Sequence, residues 1–210
     1  MTTARKIKQR IEDMQPGSAF VARDFLDIAS IDNANATLRR IAQSGRIFRI
    51  LQGVYIKPLR YATLGADMLP KPDAVAQAIA RSHEWTIVPT GITALNQLGI
   101  HRTVHDVLEY VSTGKHATYY YGTYTITLRP CADDYLVNLS ERSCLIYQAL
   151  KSLGKITNDE ELAQLISQHL SADDINSFSE EIRDESPWAY KIAQRMKQAE
   201  NVTAYATCPR

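Results

Sequence analysis

The sequence predicts an α+β protein. Three observations carry this: apolar residues at helical spacing through the first 45 residues, a hairpin pattern directly after them, and strict alternation of apolar and polar residues at 124–129. A small antiparallel sheet is expected in the middle of the chain and a helical part at its C-terminal end.

In the first helix, Lys6 to Met14, Ile7, Ile11 and Met14 fall on one face, and Pro16-Gly17 ends it. Ser18 to Val21 is apolar enough for a strand stub. Arg23 to Ala29 reads as a second helix. Ser30 to Asn33 is a turn in which Ser30 or Asp32 can cap the next helix. That third helix runs from Asn33 to Ser44 with Ala34, Leu38 and Ile41 inward, and Gly45 closes it. Two β-rich runs then flank Leu51-Gln52-Gly53, a hairpin signal. Its register is open, because Ile47/Arg49 and Phe48/Ile50 can each be read as the inward pair.

The outward set of the third helix is Asn33, Asn35, Thr37, Arg39, Arg40 and Gln43. Amide and guanidinium groups make the paired hydrogen bonds that read adenine and guanine in a major groove. Arg46, Arg49, Gln52, Lys57 and Arg60 surround the hairpin. Residues 1–60 hold 11 Lys and Arg against 5 Asp and Glu, a balance of +6, whereas residues 61–210 hold 13 against 18, a balance of −5. A basic segment joined to an acidic body points to a polyanion partner for the first part only. Three helices followed by a basic hairpin make up the winged helix-turn-helix plan, and double-stranded DNA is the expected partner.

The run Leu38-Arg-Arg-Ile-Ala-Gln-Ser-Gly-Arg-Ile-Phe-Arg-Ile-Leu-Gln-Gly-Val-Tyr55 resembles the helix-Gly-wing-Gly-Val-Tyr segment of AbiEi-like antitoxins, the regulator half of bacterial abortive-infection toxin–antitoxin pairs. Pro89-Thr-Gly-Ile-Thr-Ala-Leu-Asn-Gln-Leu-Gly-Ile100 is similar to that family's second signature, and the likeness covers most of residues 5–130. The resemblance implies an autorepressor that binds its own operator, expected to be inverted repeats, and neutralises a co-expressed nucleotidyltransferase-like toxin. It carries Arg39, Arg40, Arg46 and Arg49 over as DNA contacts.

Beyond residue 60 the organisation is expected to be a linker at 61–72, rich in Pro and Gly, an α+β domain at 73–139 and a helical part at 140–210. Asp73 to His83 and Gly91 to Leu98 read as helices, and Trp85 to Val88 as a strand. Val107 to Val111, Ala117 to Tyr121 and Tyr124 to Arg129 read as strands separated by Gly-containing turns. Ser140, Asn158 and Ser171 are placed to cap helices, the last with Asp174 as a capping box, and Ser186-Pro187 opens a further one. Leu162, Leu165, Ile166, Ile175, Phe178, Ile182, Trp188, Ile192 and Met196 supply the apolar stripes.

Little in the sequence points to catalysis, and the protein is read as a non-enzyme without cofactor. It has no phosphate-binding loop, nucleophile elbow or HExxH motif. His101, His105 and Glu109 have metal-like spacing only on a helix, and they stand between Gly99 and a β-run. Asp133-Asp134 and Asp173-Asp174 read as turn and helix-start residues. Tyr119-Tyr120-Tyr121 reads as sheet tyrosines in preference to a base-stacking platform. Cys131, Cys144 and Cys208 form no CxxC pair and read as free thiols. No apolar run approaches the ~20 residues of a membrane span and no secretory signal opens the chain, so a cytoplasmic location is expected. The competing reading is a regulator whose second domain senses a small ligand.

Overall fold

The computed structural model describes residues 2–60, 67–103, 105–131, 135–154 and 157–206, with 59–60, 67–68 and 199–206 described by backbone alone. Asp133, Asp134, Cys208 and residues 61–66 of the expected linker lie outside the described residues. The chain is α+β and divides into two compact units, Met1–Trp85 with Thr118–Ile126, and Thr86–Ala117 with Thr127–Arg210.

The first unit opens with helix α1, Thr3–Asp13, whose Ile7 and Ile11 are buried. Strand β1, Ala19–Val21, leads into a 3₁₀ turn, Ala22–Phe25, where a longer helix was expected over 23–29. Asp24 turns back to accept a hydrogen bond from the Val21 amide at 3.0 Å, and Phe25 is fully buried. Those two demands tighten the chain into i→i+3 geometry. Helix α2, Ile31–Gln43, starts two residues before its expected position. Ser30 stands at its N-cap without a side-chain cap bond, so the capping role expected of it is not seen. Gly45 follows with φ +71°, as expected of a helix-closing residue.

Strands β2, Phe48–Leu51, and β3, Val54–Ile56, form the hairpin, and β3 lies at the centre of a sheet ordered β1-β3-β2. A bulge between Arg49 and Leu51 settles the register left open by the sequence. Ile47 is buried just before the strand, and Arg49, paired with Tyr55, is exposed. All three residues of β3 are buried. Phe20 and Tyr55 stack at 6.3 Å within the core that holds Ile7, Phe25, Leu38 and Ile41. Val21, Val54 and Ile56 are buried on the other face.

Leu59–Arg60, just before the expected linker, forms β4 and pairs as a short ribbon with β5, Asp67–Met68, within it. Helix α3, Pro72–His83, follows with Pro at its start. It packs on β1, β3 and the 3₁₀ turn, so it belongs to the first unit and not to a domain beginning at residue 73. Polar contacts fix this placement: Arg81 binds Asp24 at 2.8 Å and the Ala19 carbonyl at 3.1 Å, and Arg23 binds the Ser82 carbonyl at 3.2 Å and pairs with Glu84.

Strands β6 Ile87–Pro89, β7 Val107–Ser112, β8 Ala117–Tyr121 and β9 Tyr124–Pro130 are ordered β6-β7-β9-β8, with β6 antiparallel to β7. Within the first unit, Tyr121 donates to the Pro70 carbonyl at 2.7 Å. Gly122, at φ +55°, lies so close to Leu69 that a Cβ there would fall 2.3 Å from its Cδ1.

The second unit holds helices α4 Gly91–Gln97, α5 Tyr135–Asn138, α6 Glu141–Leu153, α7 Asp159–Ser167, α8 Ala172–Glu181 and α9 Pro187–Ala206. The caps fall where the sequence placed them. Ser140 accepts from Ser143, Asn158 from Glu160 and Glu161, and the Ser171–Asp174 box closes with both bonds at 3.1 Å. The core joins Leu150, Leu162, Ile166, Ile175, Phe178, Ile192 and Met196. Leu165, expected in that stripe, is exposed, because the buried face of α7 is centred on Leu162, Ala163 and Ile166 and Leu165 falls on the side away from Ala163. Cys144 is buried, which pushes its thiol up to about 12, so it is protonated and unreactive at neutral pH.

Candidate nucleic-acid interface

The core face of α2 is set by Ala34, Thr37, Leu38 and Ile41, an i, i+3, i+4, i+7 pattern. Thr37 therefore turns inward and is only 6% exposed, which corrects its assignment to the outward set. Asn33, Arg39, Arg40 and Gln43 are exposed and Asn35 is half-buried. Asn35, Arg39 and Gln43 follow one another at i, i+4, i+8, a row of about 12 Å along the axis. Arg39 has no hydrogen-bond or ion-pair partner among the described residues, and Arg40 bonds only the Ala36 carbonyl of its own helix, at 3.3 Å.

The hairpin adds Arg49, whose Nε donates to the Leu51 carbonyl at 3.3 Å, and Gln52 at its turn, where Gly53 takes φ +79°. Arg46 meets Glu12 at 3.8 Å with both side chains exposed, a loose pair worth little in water. These guanidinium groups keep most of their donors for another molecule.

Lys57 is different. Its Nζ donates to the Glu12 and Met14 carbonyls, each at 2.6 Å, at the end of α1. It satisfies carbonyls the helix leaves open and complements the negative end of the dipole, so Lys57 has a structural role at the end of α1. For Arg60 the backbone lies in β4 and the side chain falls outside the described residues.

Between the start of α2 and the hairpin turn lies a cleft of ≈ 520 Å³. Asn35 and Gln52 form one wall, and Arg23, Ser82, His83 and Tyr119 line the other. The His83 ring stacks on Trp85 at 4.4 Å, and its Nε2 stands 3.5 Å from the Tyr119 hydroxyl. The Arg23 charge on this wall is paired with Glu84. His83 and Tyr119 lie beyond the basic first sixty residues, and the folding of α3 and β8 brings them here.

Among the described residues no other cluster of candidate ligands gathers. His101 and His105 precede β7 and Glu109 lies within it, so they lack the helical spacing a metal would need. Among the described residues no group of three or more His, Cys, Asp or Glu is arranged to hold a metal ion. Asp173 and Asp174 occupy the first turn of α8, where Asp174 also binds Arg142 at 2.9 Å. No described helix is long and apolar enough to cross a membrane.

The fold and this surface define an α+β protein whose first unit exposes an amide- and arginine-bearing helix beside a short hairpin. Residues 6–178 match the model of a family of unknown function, DUF6088, and the chain belongs to that family. No curated protein matches the sequence.

Proposed function

We propose that the chain is a DNA-binding regulator whose first unit is a winged helix-turn-helix. The order α1, β1, 3₁₀ turn, α2, β2, β3 with strands arranged β1-β3-β2 supports that plan, in which α2 enters the major groove and the hairpin lies along the backbone. The observation that carries the reading is the open row Asn35, Arg39 and Gln43, with Arg39 free of any partner among the described residues. A long cation on a solvent-facing helix is ordinary; one aligned with two amides and flanked by Arg46 and Arg49 matches the chemistry of base and phosphate contacts.

The test is fluorescence anisotropy of the full chain on duplex from its own upstream region and on random duplex. Arg39→Ala lowers the preference for the upstream DNA by about ten- to a hundredfold, the value of one good bidentate base contact. An equal loss on both duplexes reassigns Arg39 to the backbone, and no binding by the wild type removes the reading.

The resemblance to AbiEi-like antitoxins extends the proposal to an autorepressor that also neutralises a nucleotidyltransferase-like toxin. Co-expression with the neighbouring reading frame tests this part: rescue of growth supports it, and unrelieved or absent toxicity removes it while leaving DNA binding intact.

A further inference from the structure

We propose that the DNA interface continues past the hairpin onto the far wall of the cleft, where His83 and Tyr119 hold the phosphodiester backbone of the strand that Asn35 and Gln52 seat. This rests on the DNA-binding reading above.

The argument is one of continuity. Asn35 and Gln52, which face the duplex in that reading, are also one wall of the cleft. A strand lying against them overhangs the opposite wall. That wall carries no unbalanced charge: Arg23 is paired with Glu84, and Arg81 with Asp24. The acids there are tied up and do not repel a phosphate. The Ser82 hydroxyl is used by the Ile79 carbonyl at 2.7 Å. What remains is the His83 imidazole and the Tyr119 hydroxyl, whose mutual contact at 3.5 Å is long enough to be exchanged for a better acceptor.

The pair is also prepared for the role. Trp85 stacked on the His83 ring limits its orientations, so little side-chain freedom is lost on binding. Burial raises the Tyr119 phenol, which keeps its proton and remains a donor. A tyrosine hydroxyl is a common phosphate ligand, an imidazole N–H can donate in the same way, and such contacts fix register without reading sequence. A base is the poorer fit for this wall, because bases are read from the groove floor by the α2 row and the strand edge runs beside it.

The experiment uses the full chain, the same two duplexes, and the variants Tyr119→Phe and His83→Gln. Each weakens binding roughly two- to tenfold, as loss of one hydrogen bond does, and equally on both duplexes. For Tyr119→Phe the salt dependence stays that of the wild type, because no charge is removed. Phosphate-ethylation interference gives the readout a structural role would not move: one ethylated position weakens the wild type and leaves Tyr119→Phe unaffected. If the wild type binds, Arg39→Ala loses its preference, and both cleft variants bind like the wild type with the same interference pattern, the extension is wrong and the DNA-binding reading stands. If the wild type binds no duplex, both proposals fall.

Discussion

Replacing Ile79 with Ala tests whether α3 belongs with the N-terminal sheet. Ile79 is 1% exposed on a helix whose Val75, Ala76 and Ala80 are also buried, and that helix packs on β1 and β3. Truncating a buried Ile to Ala removes its transfer energy and leaves a cavity, a cost of about 2–5 kcal/mol. Globular units are stable by roughly 5–15 kcal/mol, so the loss is a large share of what the first unit has. The assay is native-state hydrogen exchange of the full chain, read at peptides covering Ala19–Val21 and Val54–Ile56. Their amides exchange about 30- to 4000-fold faster in the variant if the whole cost appears there, at a tenfold change per 1.4 kcal/mol. If those peptides keep wild-type protection while peptides of Glu141–Leu153 lose theirs, α3 supports the other unit, and its assignment here is refuted.

Other outcomes follow from the same geometry. Arg46→Ala and Arg49→Ala each flatten the slope of log affinity against log salt by about 0.9 if each removes one phosphate contact, and an unchanged slope takes the hairpin out of the interface. Lys57→Met leaves that slope unchanged but lowers stability by about 1–2 kcal/mol in urea titration, because the two α1 carbonyls lose their donor. Asp174 is held down at about 2, against an ordinary 3.8, first by the Arg142 guanidinium and then by its bonds with Ser171. Its contribution is therefore present above the ordinary value and is lost as pH falls towards 2. With Asp174 and Arg142 partly exposed, screening reduces this to about 1 kcal/mol, and acid unfolding of Asp174→Asn between pH 5 and 2 is shallower by that amount.

Much of the first unit is legible because its signals are local. The closing Gly45, the Gln52-Gly53 turn and the inward Ala34, Leu38 and Ile41 follow from residue type and spacing. Thr37 shows where the reading stopped short. Its polar type suggested solvent, yet its place three residues after Ala34 and one before Leu38 puts it on the buried side, and position outranks polarity for a small hydroxyl. The 3₁₀ turn was hidden for another reason: Arg23 to Ala29 has helix-compatible composition, and the bond from the Val21 amide to Asp24 that tightens it has no pattern in sequence. Lys57 is similar, since its acceptors are carbonyls 45 and 43 residues away.

The misplaced boundary had a signal that was present but unused. Strand β3 reads Val54-Tyr55-Ile56, three apolar residues in succession, where a strand with one wet face would alternate. Helices α1 and α2 cover only the face that carries Phe20 and Tyr55. Val21, Val54 and Ile56 therefore need a second cover, and nothing within residues 1–60 remains to supply it. The next amphipathic segment in the chain is α3, with Val75, Ala76 and Ile79 on its buried side. The Pro-rich stretch before it reads as a boundary in sequence, but a linker signal marks only where the chain turns, not which unit the next element joins. Because α3 closes over this sheet, its C-terminal end brings His83 to the cleft beside Asn35 and Gln52. The cover that the apolar strand requires is thus also the element that widens the surface proposed to face DNA.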